Sequence, residues 1–394
     1  MTNLSLYLTE SADMYPSAAA LGCEGVTMSY SELADQATRF AAYLYEHGVG
    51  PGDRVGVMLG NRPEFATAFY GTLHAGAVAV PLDPIRNARQ VQRALSDSGA
   101  RILFHASGCA PAATAASLAA GASTIELDDD RLAELIGDFA GRPRPVSRAA
   151  QDDAVILYTF GTSGAPIGVQ LTHGNLGTTQ AVIARKVLDL GPEDVVLGCL
   201  PLSHAFGLTC ELIATVSTGS TLDLLPSLDP RRALDRVAAQ HVSVMEAEPA
   251  MYMAMLDVSD DAGLDLRSLR VCVSGGPAMP GDTRRRYEER FGCIVLEGYG
   301  RSDSAPAACF NQLDKPRKTG SVGTPVKGVQ MRVVDKTRKE VPVGAVGELQ
   351  IRGNNVMKGY WNQPAATAAA LVEGWLSSGD TGFVDADGYF YLVN

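Results

Sequence analysis

The stretch at residues 158–169, YTFGTSGAPIGV, has the composition of a loop that wraps a phosphate. Gly161, Gly164 and Gly168 allow close backbone approach, and Thr159, Thr162 and Ser163 bring hydroxyls to the same few residues. No Lys or Arg stands anywhere in it. A Walker loop needs Gly-Lys-Ser/Thr at its end, and a nucleophile elbow needs Gly where Ala165 follows Gly164, so neither chemistry fits. Taken alone, the stretch also reads as a plain Gly-rich turn from strand to helix. Metal chemistry has less support: there is no H-E-x-x-H, the six His are scattered, and the seven Cys form no C-x-x-C.

Alternating helix and strand patterns surround this loop. Ser29 and Glu32 have capping-box spacing, and Leu33, Ala37, Phe40, Ala41 and Leu44 then recur on one helical face until Gly48. RVGVML (54–59) reads as a buried strand, Pro63 opens a second helix, and AVAVPL (77–82) is the next strand. That is a βαβ unit. A helix at 87–98, the strand RILFH and an Ala-rich surface helix at 109–122 continue it. A second alternating block runs from 175 to 310, with LRVCVS (269–274), a Gly-Gly-Pro turn, a charged helix at 281–291 and IVLEGYG (294–300). From about 320 short strands dominate, with Val329, Met331 and Val333 alternating with polar neighbours. The expected fold is α/β. Two doubly wound, mostly parallel subdomains, 1–174 with the phosphate loop and 175–319, precede a small distorted β-barrel-like subdomain at 320–394.

Composition narrows the function. Hydrophobic residues make up 46% and charged residues 20%, which marks a globular chain. A net charge of -11 argues against a nucleic-acid partner, since such proteins gather Lys and Arg against phosphates. Glu10 and Asp13 in an N-terminal stretch without a basic start do not suit a signal peptide, and no apolar run approaches the roughly 20 residues of a membrane span. With the odd cysteine count, a cytoplasmic protein with reduced thiols and no integral membrane segment is expected.

The loop does not stand alone. YTFGTSGAPIGVQLTHGNL resembles the phosphate-binding signature of the adenylate-forming superfamily, which comprises acyl- and aryl-CoA synthetases, luciferases and peptide-synthetase adenylation domains. LPLSHAFGL (200–208), VSGGPAMP (273–280), EGYGRSD (297–303), GSVGTPVKG (320–328), GELQIRGNNVMKGYWNQPAAT (347–367) and GWLSSGDTGFVDADGYFYLV (374–393) are similar to further blocks of that family, in its order. The likeness is strongest to bacterial fatty-acyl-CoA synthetases. It implies joining a carboxylic acid, in the first instance a fatty acid, to ATP with Mg²⁺, giving acyl-AMP and then a thioester of coenzyme A.

The resemblance also assigns residues. Thr159, Gly161, Thr162, Ser163 and Gly164 would hold the phosphates, and Ser302 would donate to the α-phosphate. Asp303 would hold the metal, a hard cation that prefers oxygen ligands. Gly275, Gly276, Pro277, Glu297, Gly298, Tyr299 and Gly300 would border the adenine, with Tyr299 against its face, and Asp380 would accept the ribose hydroxyls. His204, Phe206, Gly207, Glu248 and Gly298 would surround the acyl group; Thr159, His204, Ser302 and Asp303 would be the catalytic set. For His204 a core histidine is the alternative, for Tyr299 a core aromatic, and for Asp380 a turn acid.

The chain departs from the family pattern at four places in this set. Ile167 stands where the family loop has Lys, Phe160 replaces a Ser, Asp303 a Glu, and Glu248 an apolar residue near the acyl tunnel. Loss of the loop cation is expected to impair adenylation. The family's lid domain, with its catalytic Lys, would follow the strand at YLVN, so the expected unit is the large N-terminal body with the lid absent. Two alternatives stand beside the ligase: a non-catalytic nucleotide- or acyl-binding homologue, and a module that adenylates an acyl group for a carrier protein. SHAFGLTCE (203–211) lacks the Asp by which amino-acid activators pair with an ammonium, which disfavours amino acids.

Overall fold

The protein, described here by a computed structural model, is traced over residues 3–139, 144–160, 166–259, 263–276 and 278–393. Two large sheets and one small one carry the chain. In the first, seven strands run in the order 359–360, 166–172, 153–160, 78–81, 54–58, 102–105, 123–126. Strands 54–58 and 78–81 pair in parallel, with the helix Pro63–His74 between them in sequence, so the βαβ reading holds. Ser29 closes the expected capping box: its hydroxyl accepts the Glu32 N–H and its own N–H donates to the Glu32 carboxylate.

In the second sheet nine strands run 324–325, 309–310, 294–299, 271–274, 244–247, 195–198, 221–224, 19–23, 26–29. Its central pairs are parallel, with antiparallel strands at both edges. Successive side chains leave a strand on opposite faces. Val196, Val244, Val271, Val273 and Leu296 therefore join one apolar cluster, which also takes in the first sheet. Leu197, Met245, Cys272 and Val295 join another, with Leu234, Tyr252 and Tyr287 from the covering helices. Burial on both faces is the signature of a doubly wound sheet. The third sheet is antiparallel, ordered 329–334, 347–353, 375–384, 371–372, with 390–392 on the strand 375–384.

Two differences from the sequence reading matter for the site. Ala19–Cys23, early in the chain, pairs with Thr221–Leu224 and carries Val26–Ser29 with it into the second sheet, while Gly359–Tyr360 adds to the first. The sheets thus cut across divisions drawn at 174 and 319. The Gly-rich loop, moreover, is no strand-to-helix turn: Asp153–Phe160 and Pro166–Thr172 are the antiparallel arms of a hairpin, with Thr159 opposite Ile167 and Phe160 opposite Pro166. All seven cysteines are free and buried. Among the described residues no helix is long and apolar enough to cross a membrane.

Candidate active site

Three parts of the fold converge on one cavity of about 580 Å³. The first is the end of the strand Ile294–Tyr299 and the turn after it, which contribute Gly298, Tyr299, Gly300, Arg301, Ser302 and Asp303. The second is the hairpin, through Thr159 and Ile167. The third is the set of segments following strands 195–198, 244–247 and 271–274, which bring Leu200, Pro201, His204, Phe206, Glu248, Gly275 and Gly276. These lie beyond the carboxyl ends of parallel strands, where open α/β sheets bind ligands.

The turn is shaped by a close crossing. Gly300 passes so near Pro306 that a Cβ on it would lie 1.5 Å from the Pro306 carbonyl oxygen. A short 3₁₀ turn, Ser302–Ser304, then sets Ser302 and Asp303 on the cavity wall. Asn355 clamps it by donating to the carbonyls of Ser304 and Ala307, and the Met357 N–H donates to the carbonyl of Asp303. Gly275 is needed for a similar reason, since a Cβ there would meet Phe206 Cε1 at 2.6 Å.

Two carboxylates mark this side of the cavity. Asp303 is buried and its Oδ2 accepts the Tyr360 hydroxyl at 2.7 Å. Burial, then that carboxylate, drive the Tyr360 pKa upward, so the phenol keeps its proton. Asp380 Oδ2 accepts the Tyr299 hydroxyl at 2.6 Å and the Arg301 Nη1–H at 3.2 Å. Tyr299 is likewise held protonated by burial and by Asp380. His204 faces the cavity. Its enclosure there depresses the imidazole pKa, against the pull of Glu248 and Asp83, and leaves a neutral ring that can donate or accept.

Most residues expected from sequence therefore meet: Thr159, His204, Phe206, Glu248, Gly275, Gly276, Gly298, Tyr299, Gly300, Ser302 and Asp303 line one space, with Asp380 bonded to its edge. Glu297 does not. It follows Val295 onto the other face of the strand, lies 3.8 Å from Arg284 Nε, and is pushed up to about 7 by burial. Gly207 is buried under the carbonyls of Leu200 and Pro201 and supports the cavity from behind. Gly161, Thr162, Ser163, Gly164 and Pro277 lie outside the described residues. Sequence reasoning missed Tyr360 and Arg301. A lone cation amid the small residues of EGYGRSD was the available signal for the second, and nothing local marked the first.

A second chamber of about 410 Å³ adjoins the first and shares Leu200, Pro201 and Glu248 with it. Leu225, Met251, Ile85 and Leu228 make it largely apolar, and Asp83 joins Glu248 as an acidic group. Among the described residues the Glu248 carboxylate has neither an ion pair nor a hydrogen bond.

Residues 8–361 match the family described as AMP-binding enzyme. A feruloyl-CoA synthase of Amycolatopsis is 36% identical over 390 residues, covering 97% of this chain and 76% of the relative. Long-chain-fatty-acid–CoA ligase FadD13 of Mycobacterium tuberculosis is 32% identical over 400 residues, covering 100% of this chain and 78% of the relative. Among solved structures, the inhibitor-bound N-terminal domain of FACL13 from Mycobacterium tuberculosis superposes with a TM-score of 0.93 at 30% identity, covering 100% of both chains. ATP-bound MatB from Rhodopseudomonas palustris gives 0.92 at 29%, covering 100% of this chain and 78% of that one.

Proposed function

The chain belongs to the AMP-binding enzyme family, AMP-forming acid–thiol ligases that use ATP, Mg²⁺ and coenzyme A, and we propose that its large cavity binds the adenine nucleotide while the adjoining chamber takes the tail of a carboxylic acid. The observation that carries this reading is the convergence of Thr159, His204, Tyr299, Ser302 and Asp303, from separate stretches, on one 580 Å³ cavity.

In this reading Tyr299 packs on the adenine, Asp380 accepts the ribose hydroxyls, and Thr159 and Ser302 donate to the α-phosphate. Neutral His204 stands by the acyl carboxylate, to which a ring N–H can donate. Mg²⁺ is bound through few carboxylates when substrate phosphates complete its shell, so the single buried Asp303 suits a metal that arrives with the nucleotide. Catalysis of this kind rests on positioning and preorganised donors, which the clamped turn at 300–304 provides. The test is pyrophosphate release with ATP, Mg²⁺ and a panel of carboxylic acids, alongside calorimetric titration of ATP and AMP. Binding of neither nucleotide would refute the proposal. Nucleotide binding without turnover for any acid would instead support a non-catalytic homologue.

Ile167 is the weak point for turnover. Its side chain lines the cavity, so adenylation should be slower than in relatives with a cation there. Ile167→Lys is expected to tighten ATP about tenfold and AMP much less, since a charge-assisted bond to a leaving phosphate contributes about 1.5–3 kcal/mol before screening. Equal gains for both nucleotides would place Ile167 away from the β- and γ-phosphates.

For the acid, an apolar tail of the fatty-acid kind suits Leu225, Met251, Ile85 and Leu228. The free Glu248 favours a second reading, an acid bearing a hydrogen-bond donor along its tail. Glu248→Val decides between them. Improved KM for unsubstituted fatty acids, by about tenfold, supports the first, because a polar carboxyl group without a partner opposes an apolar tail. A comparable loss confined to hydroxylated acids supports the second.

A further inference from the structure

The cavity assigned above to the nucleotide is lined by hydroxyls, carboxylates, glycines, apolar groups and the neutral imidazole of His204, and by one cationic side chain among the described residues, Arg301. Its present bonding is meagre. Nη1 reaches Asp380 Oδ2 at 3.2 Å, onto an oxygen that already accepts the Tyr299 hydroxyl at 2.6 Å. Nε is buried without a partner. Both the arginine and the aspartate are about two-fifths open, 39% and 38%. A guanidinium carries five donors and stays charged at any working pH, so most of its capacity is unspent. A buried N–H left unpaired is costly, and an anion entering the cavity would remove that cost.

Resting on the nucleotide reading of this cavity, we propose that Arg301 is the phosphate-binding cation of the site, serving from the turn after the strand Ile294–Tyr299 where the hairpin loop carries none. The planar fork matches phosphate oxygens. Arg301 is adjacent in sequence to Ser302, so the cation and the hydroxyl reach the same phosphate from one rigid turn. The move has a second consequence. When the guanidinium turns to phosphate, Asp380 loses a competing donor and is released to accept the ribose diol. Phosphate capture and ribose capture are thereby coupled through one ion pair that opens.

Adenosine separates this role from a structural one, since it has the ribose and the base without the phosphate. For Arg301→Gln, calorimetry is expected to show AMP and ATP weakened at least tenfold and adenosine unweakened or modestly tighter, because Asp380 then has no guanidinium competing for it, with Arg301→Lys intermediate for the phosphorylated ligands. Added salt should weaken AMP binding in the wild type more than in Arg301→Gln. Thermal unfolding of each variant reports folding; should Arg301→Gln not fold, the Arg301→Lys series and the wild-type salt dependence carry the test. Adenosine losing as much as AMP, or AMP unaffected, would overturn the role of Arg301. A wild-type protein that binds neither AMP nor ATP would overturn the nucleotide reading itself, and with it this proposal.

Discussion

Gly300→Ala is expected to abolish AMP binding and to lower stability by about 3 kcal/mol, the upper range for forcing a methyl into a packed site. The clash is with backbone. A Cβ would fall 1.5 Å from the Pro306 oxygen and 2.2 Å from its carbonyl carbon, so no rotamer change can relieve it. Either the 301–306 segment moves or the strand end does, and the two are tied by the Ala308 N–H donating to the Tyr299 carbonyl. Displacement would carry Tyr299, Arg301, Ser302 and Asp303 out of register with the hairpin together. Gly108→Ala is the control, because a methyl there meets nothing within 4 Å. Denaturant titration and AMP calorimetry measure both effects. Wild-type midpoint and affinity in Gly300→Ala would show that the crossing is loose, and that the site does not depend on it.

The parts of this protein that were legible in its sequence are those set by short-range rules. Capping residues and i, i+4 spacing gave the helix at 30–46, and short apolar runs bounded by turns and helices gave strands such as Arg54–Met58, Val78–Pro81 and Val271–Ser274. Ordered motifs gave the family and most of the cavity. What escaped depends on pairing between distant segments. Tyr360 reaches Asp303 from 57 residues away, through a strand of two residues that pairs with Gln170 and Val169. Glu297 was grouped with its motif neighbours, although strand alternation turns it with Val295 toward the helix Gly281–Phe291. The hairpin at 153–172 was hidden because a Gly-rich connection is compatible with a following strand or helix. A further surprise is chemical: Glu211 and Glu246 are both fully buried, and acids in a sequence normally mark surface.

That buried pair makes the last expectation, a stability that falls steeply as the pH rises. Neither Glu246 oxygen has a partner, and burial pushes its carboxyl up to about 8. Glu211 is shifted in the same direction by burial and then by Glu246, while its Oε1 accepts the N–H groups of Cys199 and Leu200 that lead into the cavity. Below the ordinary value of 4.5, Glu246 is protonated folded and unfolded, and contributes no pH dependence. Between 4.5 and about 8 the folded chain holds a proton that the unfolded chain has released, so stability drops by about 1.4 kcal/mol per pH unit. Above that window both states are ionised and the loss is complete, on the order of 5 kcal/mol. Glu246→Gln cannot ionise and should match the wild type near pH 5, then exceed it by a margin that widens to pH 8. Glu211→Gln keeps an acceptor for the two amides and should act in the same sense, with the double variant gaining less than the sum because the two carboxyls oppose each other's charge. Thermal or urea unfolding at pH 5, 6.5 and 8 reads the difference directly, and the charge background common to all variants cancels. An offset that stays constant across this range would mean that Glu246 is ionised throughout, solvated or paired in a way this packing does not provide.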